Sequence, residues 1–338
     1  MTNWIDRNIK WVFTMPAVIF VALMMVMPVG YTFWLSFHDW NMSNITPPLW
    51  VAFQNYTELF HDELFIKSLK LMFYFTIASV AIETVLGVGL AILMNQNIVG
   101  KGIVKTLFLL PMVATPVAVG LIWVLIYEPN IGIANVFLHK LGLPGQEWLT
   151  SQNLVMPSLI FIDVWEWTPM IALIVLAGLV SLPKDPYEAA MIDGANTWQS
   201  FSKITLPLLK PTLYSAILLR MIDALKTFDI IYATTQGGPG TSSQTINIYG
   251  YVLGFQYFKI GQASALHQRR AVHTDEQRRV VEVASQVRGP LITKRWGAQR
   301  SRHIEQMRPQ QWIQVQGPAG VVIVGTLLAV TQPAVRAT

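Results

Sequence analysis

The chain has 338 residues, of which 53% are hydrophobic and only 13% charged, where an ordinary soluble domain carries about 25% charged residues. That composition, with a mean hydropathy of +0.43, excludes a soluble globular fold and indicates an integral membrane protein. Cysteine is absent and the six His are scattered, which excludes disulfides, Cys-ligated zinc and thiol nucleophiles and offers no H-E-x-x-H pair.

Runs that could cross about 30 Å of hydrocarbon, roughly 20 apolar residues, occur in five places: about 11–37, 69–94, 103–127, 154–180 and 208–233. The first is longer than the apolar core of a cleavable leader and carries Trp11 and Trp34 at its ends, as an interfacial anchor does, so it is read as a retained helix. Loops between the runs alternate in charge. Arg7 and Lys10, then Lys101 and Lys105, then Lys184, Lys203 and Lys210 mark one side as cytoplasmic, starting with the N-terminus. The loops at 38–66, 128–153 and 235–258 are acidic or uncharged and face outward. Gly100-Lys101-Gly102 lacks the first glycine and the hydroxyl of a phosphate loop. ATP binding would therefore need a partner, and no cofactor or metal bound directly by this chain is expected.

Ionisable side chains inside a membrane span are costly and are read as facing the bundle interior. They are Glu83 in the second run, Asp163 and Glu166 in the fourth, and Arg220, Asp223, Lys226 and Asp229 in the fifth. The last four recur every three residues, so neighbours could pair along one drifting helix face, either merely fixing helix packing or lining a path for a hydroxyl-rich solute. Trp165 and Trp167 flank Glu166 and could stack on a sugar, or simply pack; Pro169 should kink this helix.

Residues 188–207, EAAMIDGANTWQSFSKITLP, form a polar segment between the fourth and fifth runs. Asp185-Pro186 reads as a helix start, with the acid as N-cap and proline at the first helical position. Ala189 and Ala190 permit close approach of a partner, Glu188 complements the helix dipole and could pair with a partner's Arg or Lys, and Gly194 permits a left-handed exit. A second short helix at about 196–205 should follow, before Pro207 and Pro211 mark the start of the next span. Such a knob could transmit a push to the bundle.

Glu188, Ala189, Ala190, Gly194, Ile204, Leu206 and Pro207, with Asp193 beside the glycine, resemble the cytoplasmic coupling motif of binding-protein-dependent ABC importer permeases. Glu166-Trp167-Thr168-Pro169, Ala177-Gly178-Leu179, Phe228-Asp229-Ile230 and the loop Gly237-Gly238-Pro239-Gly240 extend the likeness over about residues 5–266, to the carbohydrate-uptake branch that handles maltose, other oligosaccharides and glycerol phosphate. The resemblance implies an all-α polytopic transmembrane bundle in a bacterial inner membrane, not itself an enzyme. It further implies a second permease subunit, two ATP-binding subunits that take ATP and Mg, and an extracytoplasmic solute-binding protein near residues 237–240. The segment around Glu188 would dock on the ATPase. A proton-coupled secondary transporter using the buried carboxylates, and a truncated product that does not transport, are the alternatives.

The likeness stops at Leu266. Residues 1–266 carry a net charge of −2 and residues 267–338 one of +7, with ten of the chain's twelve Arg in the tail. The longest apolar stretch there, Ala319 to Val330, is too short to span, so an expected sixth helix is missing. A reading-frame shift near Leu266 is the expectation for 267–338. A basic arm for nucleic acid or anionic lipid is the alternative, but it would lie outside the cell after five spans and shows no binding fold, and no nucleic-acid partner is expected.

Overall fold

Proline placement decides where the long apolar runs stay helical and where they break. The computed structural model describes residues 2–43, 46–96, 101–266, 314–317 and 320–323. Helix α1 (Thr2–Leu35) tolerates Pro16 and Pro28, and its Thr14–Leu35 stretch leaves its side chains almost entirely unburied. After a two-residue strand pair, β1 (His38–Asp39) with β2 (Leu49–Trp50), come α2 (Gln54–His61) and the long α3 (Glu63–Asn95). The Asp62 carboxylate starts α3 by accepting from the Leu64 N–H at 2.8 Å.

The run expected as one span at 103–127 is two helices, α4 (Lys101–Val113) and α5 (Pro116–Ile126), bent by 96°. Pro116 has no N–H to donate and forces the preceding Thr115 into an extended conformation, φ −72° and ψ 138°. Helix α6 (Ile133–Lys140) then leads to α7 (Val155–Val180), which runs through Pro169. Short α8 (Asp185–Ile192) and α9 (Thr197–Ser200) follow.

The fifth run also differs from expectation. Helix α9 does not end at 205 but passes through a π-helical turn, Phe201–Thr205, directly into α10 (Leu206–Leu225). Pro207 and Pro211 remove two N–H donors, and the wider turn just before them accommodates the lost bonds. Helix α10 then stops at Leu225, and α11 (Asp229–Thr234) starts after a break at Phe228, φ −133° and ψ −52°. The buried Asn247 of α12 (Ile246–Tyr251) offsets this break: its amide donates to the carbonyls of Leu225 at 3.0 Å and Thr227 at 2.9 Å. A membrane interior supplies no water for such carbonyls, so a protein donor is what lets the chain leave the helix there.

Among the described residues, α1, α3 and α7 are long and apolar enough to cross a membrane, and α4 with α5 makes a broken fourth. Helices α3 and α7 pack most closely. A Cβ on Gly87 would stand 2.8 Å from Ile171 Cγ2 and 3.2 Å from the Ala172 nitrogen, and small residues let membrane helices approach this way, where packing rather than water exclusion holds them together. One core cluster joins Phe75, Leu159, Ile162 and Ile231; another joins Ala91, Ile171, Val175 and Leu209 near the α8 end.

At the opposite end the loops interlock. Asn55 donates to the carbonyls of Ser36 and His38, both at 2.9 Å, the Tyr249 hydroxyl bonds Asp62, and Gln262 reaches Glu58 at 2.6 Å. Residues 260–266 are helical, with Ala263, Ala265 and Leu266 buried against Leu59, Phe65, Leu225 and Leu253. The expected loss of a sixth span falls beyond residue 266 and lies outside the described residues, as does most of the tail. Separately, β3 (Gln314–Gly317) and β4 (Gly320–Ile323) form an antiparallel hairpin.

Candidate functional site

Both helix breaks open on the same cavity. A cleft of about 150 Å³ is lined by Pro116 at the start of α5, by Asp163, Glu166 and Trp167 of α7, by Arg220 and Asp223 of α10, and by the α10–α11 break from Lys226 to Ile230. Backbone leaves regular helix at membrane depth where protein or a cavity covers it, and discontinuous helices commonly frame solute sites in transporters.

Arg220 organises the wall. Its Nε donates to Glu83 Oε2 at 2.8 Å and one terminal nitrogen to Oε1 at 3.0 Å, while the same nitrogen bonds Asp163 Oδ2. Glu83, Asp163 and Arg220 are all at most 1% exposed. The planar guanidinium also sits 5.1 Å from the centre of the Trp167 ring, a geometry suited to cation–π attraction. The pairing therefore runs across α3, α7 and α10, not along α10 as the spacing of Arg220, Asp223, Lys226 and Asp229 suggested. Because α10 ends at Leu225, Asp229 belongs to another helix and no common face exists.

On α7, positions 163, 166 and 167 fall on one face at about 100° per residue, and 165 falls nearly opposite. Trp167 accordingly lines the cleft, whereas Trp165 is absent from the lining and packs edge-on against Trp123, with centroids 5.6 Å apart. Glu166 is 1% exposed, and neither of its carboxylate oxygens has a hydrogen-bond partner.

The 181–207 segment forms an exposed knob. Asp185 is the first residue of α8 rather than its N-cap, which is Lys184. Nothing in α8 is buried, and Glu188 and Ala189 are exposed. Gly194 has φ +75°; the Gly194 N–H bonds the Met191 carbonyl at 3.2 Å and the Ala195 N–H the Ala190 carbonyl at 2.9 Å, a Schellman closure that a left-handed residue makes possible. Asn196 and Gln199 complete a capping box at 2.8 and 2.9 Å. Asp193 is exposed, Ile204 half-buried in the π turn, Leu206 half-buried against the Ala91–Val175 cluster, and Pro207 exposed. The hydroxyls of Tyr187 and Thr205 share a hydrogen bond at 3.0 Å, tying α8 to the π turn. Motif spacing missed that tie, as it missed Asn247 and Thr227; a Tyr and a Thr 18 residues apart give no local signal. Pro116 was the legible one, since X-Pro inside an apolar run marks a break.

Gly237, Gly238, Pro239 and Gly240 lie at the other end, Gly237 buried with φ +94° and Gly240 exposed with φ +61°. Ser243 holds the turn, its hydroxyl donating to the Gly238 carbonyl at 2.6 Å and its N–H to that of Gly237 at 3.2 Å. A second cavity, about 350 Å³, lies between this turn and Tyr127, Glu128 and Thr150. Glu128 is half-buried, and the Ile131 N–H, followed by the Asn130 side chain and N–H, holds its carboxyl below the ordinary range.

Comparison with known proteins bears on all of this. Residues 83–265 match the model of the binding-protein-dependent transport system inner membrane component family. The chain is 35% identical over 256 residues to the trehalose/maltose transport system permease protein MalF of Thermococcus litoralis, covering 76% of this chain and 85% of that one. It is 34% identical over 268 residues to the sulfoquinovosyl glycerol transport system permease protein SmoG of Agrobacterium fabrum, covering 78% and 87%. In fold it is similar to a chain of a bacterial alginate ABC transporter solved in complex with an alginate pentasaccharide-bound periplasmic protein, with TM-score 0.71 and 24% identity, covering 82% and 94%.

Proposed function

This chain belongs to the binding-protein-dependent transport system inner membrane component family, and we propose that it is one membrane-spanning permease subunit of an ATP-driven importer for a sugar or sugar-like solute. Hydrolysis of ATP falls to a separate subunit. Curated relatives named for trehalose, maltose and sulfoquinovosyl glycerol support the solute class, and a similar fold in complex with a periplasmic protein supports a solute-binding partner. A second permease subunit and two ATPase subunits complete the assembly, with the N-terminus and the 181–207 knob cytoplasmic, as the loop charges indicate.

One observation carries the coupling mechanism. The knob and the cleft are two ends of one uninterrupted helical rod, Thr197–Leu225, roughly 40 Å long at about 1.5 Å per residue. Nucleotide-driven closure of the ATPases moves α8 and α9; the rod carries that motion to the break at Lys226, and the cleft alternates between outward and inward access. The Tyr187–Thr205 bond makes α8 part of the same body. Glu188→Lys tests this reading by co-purification with the ATPase subunit and by solute-stimulated ATP hydrolysis in proteoliposomes. Loss of both is expected, and unaltered assembly and transport would overturn the coupling role. Uptake should also stop on ATP depletion at constant proton gradient, which a secondary transporter would survive.

We infer likewise that residues 267–338 come from a shifted reading frame. The family match ends at residue 265, inside a helix that begins at 260, and the charge balance reverses just beyond it. Resequencing the gene across codon 266 tests this; an unshifted frame through the tail would overturn it.

A further inference from the structure

The cleft wall carries more carboxyl groups than cations. Four carboxylates, Asp163, Glu166, Asp223 and Asp229, stand at the wall against two cations, Arg220 and Lys226, and a fifth carboxylate, Glu83, pairs with Arg220 from behind. The Arg220 charge is already matched, because its Nε and one terminal nitrogen donate to Glu83 and Asp163. Lys226 is exposed and sits beside Asp223 and Asp229 in the lining.

Against this background Glu166 is singular: 1% exposed, facing the cleft, and with both oxygens lacking a donor. A buried carboxylate without donors is unfavourable until something supplies them. Among the described residues no group of three or more His, Cys, Asp or Glu could hold a metal ion, so a divalent cation does not fit the need. Hydroxyl or ammonium groups of a solute do. At about 150 Å³ the cleft is smaller than an ordinary small-molecule pocket of about 300–1,000 Å³, so it grips one ring of a longer molecule, against the Trp167 side chain.

Resting on the reading of this cleft as the solute path, we propose that Glu166 sets the charge class of the cargo, accepting hydrogen bonds from a neutral or amine-bearing saccharide and turning away saccharides that carry carboxylate or sulfonate. The selection has both an attractive and a repulsive element, as specificity usually does.

The test uses the full chain in lipid nanodiscs and three disaccharide probes: maltose, the diamine β-1,4-linked glucosamine dimer, and cellobiouronic acid. Binding is followed by calorimetry and by tryptophan fluorescence, with Trp167→Phe locating the signal at the cleft. Maltose and the diamine should bind, and the uronic acid should bind at least about tenfold more weakly, the scale of one charge-assisted hydrogen bond. Glu166→Gln should weaken the diamine about tenfold and bring the uronic acid to within about threefold of maltose, while Glu166→Asp keeps the parental order. Equal binding of uronic acid and maltose by the parent, or an unchanged order in Glu166→Gln, would overturn the proposal and leave the solute path standing. Binding of all three with a signal that survives Trp167→Phe, or binding of none to the folded chain, would remove the path itself and the proposal with it.

Discussion

Replacing Arg220 by Met should be the most damaging single change in the bundle. The side chain is 1% exposed, holds Glu83 through two hydrogen bonds at 2.8 and 3.0 Å, and holds Asp163 through a third. Methionine keeps much of the length and apolar volume, so packing is largely preserved and the loss is electrostatic: two buried carboxylates are left facing each other without a cation. Breaking a buried pair by removing one member costs about 3–5 kcal/mol, which lowers the folded-to-unfolded ratio by roughly two to three and a half orders of magnitude. Exchanging the whole group for neutral residues, Arg220→Met with Glu83→Gln and Asp163→Asn, should restore most of that stability, since buried ion pairs stabilise little relative to uncharged replacements. The assay is reversible denaturation in mixed micelles followed by circular dichroism. If Arg220→Met lies within about 1 kcal/mol of the parent, or the triple replacement is no more stable than the single one, the pairing described here does not hold these helices.

Four further outcomes are expected. Gly194→Val should cost about 1–2 kcal/mol of local stability, because φ is +75° although nothing lies within 4 Å of the added Cβ; solute-stimulated ATP hydrolysis should fall while the bundle's thermal midpoint hardly moves. Asn247→Leu removes the amide that donates to the Leu225 and Thr227 carbonyls, about 0.5–1.5 kcal/mol for each hydrogen bond lost, and micelle denaturation should show it. Tyr187→Phe removes the bond to Thr205 and should cost about 0.5–1.5 kcal/mol, with coupling of hydrolysis to transport impaired more than assembly. Restoring the alternative frame after Leu266 should give an apolar span continuing the helix at 260–266, and raise transport in proteoliposomes; no gain would count against the shifted frame.

What the sequence made legible was whatever rests on local chemistry. Gly194 had to be left-handed because the knob turns sharply there, and α3 and α7 had to be long because no proline interrupts the first and one is tolerated in the second. The breaks were harder. Apolar content says that a run can sit in a membrane, but a helix bent by 96° at Thr115 and a straight one have the same hydropathy, so 103–127 and 208–233 passed as single spans. Pro116 could have exposed the first break. The second has no proline; it exists because Asn247, about 20 residues further on, donates to the carbonyls the break sets free, and a sequence pattern does not reveal such a distant donor. The charged residues show the same division. Glu83, Asp163, Glu166 and Arg220 are buried, as ionisable residues inside spans suggest, whereas Asp223, Lys226 and Asp229 are exposed; the every-third-residue spacing from Arg220 to Asp229 suggested neighbours on one helix, where the strong partners of Arg220 lie 137 and 57 residues away. Spacing reports faces only while the helix lasts. The cleft lies where two helices stop, so the periodic reading fails at the very residues that line it.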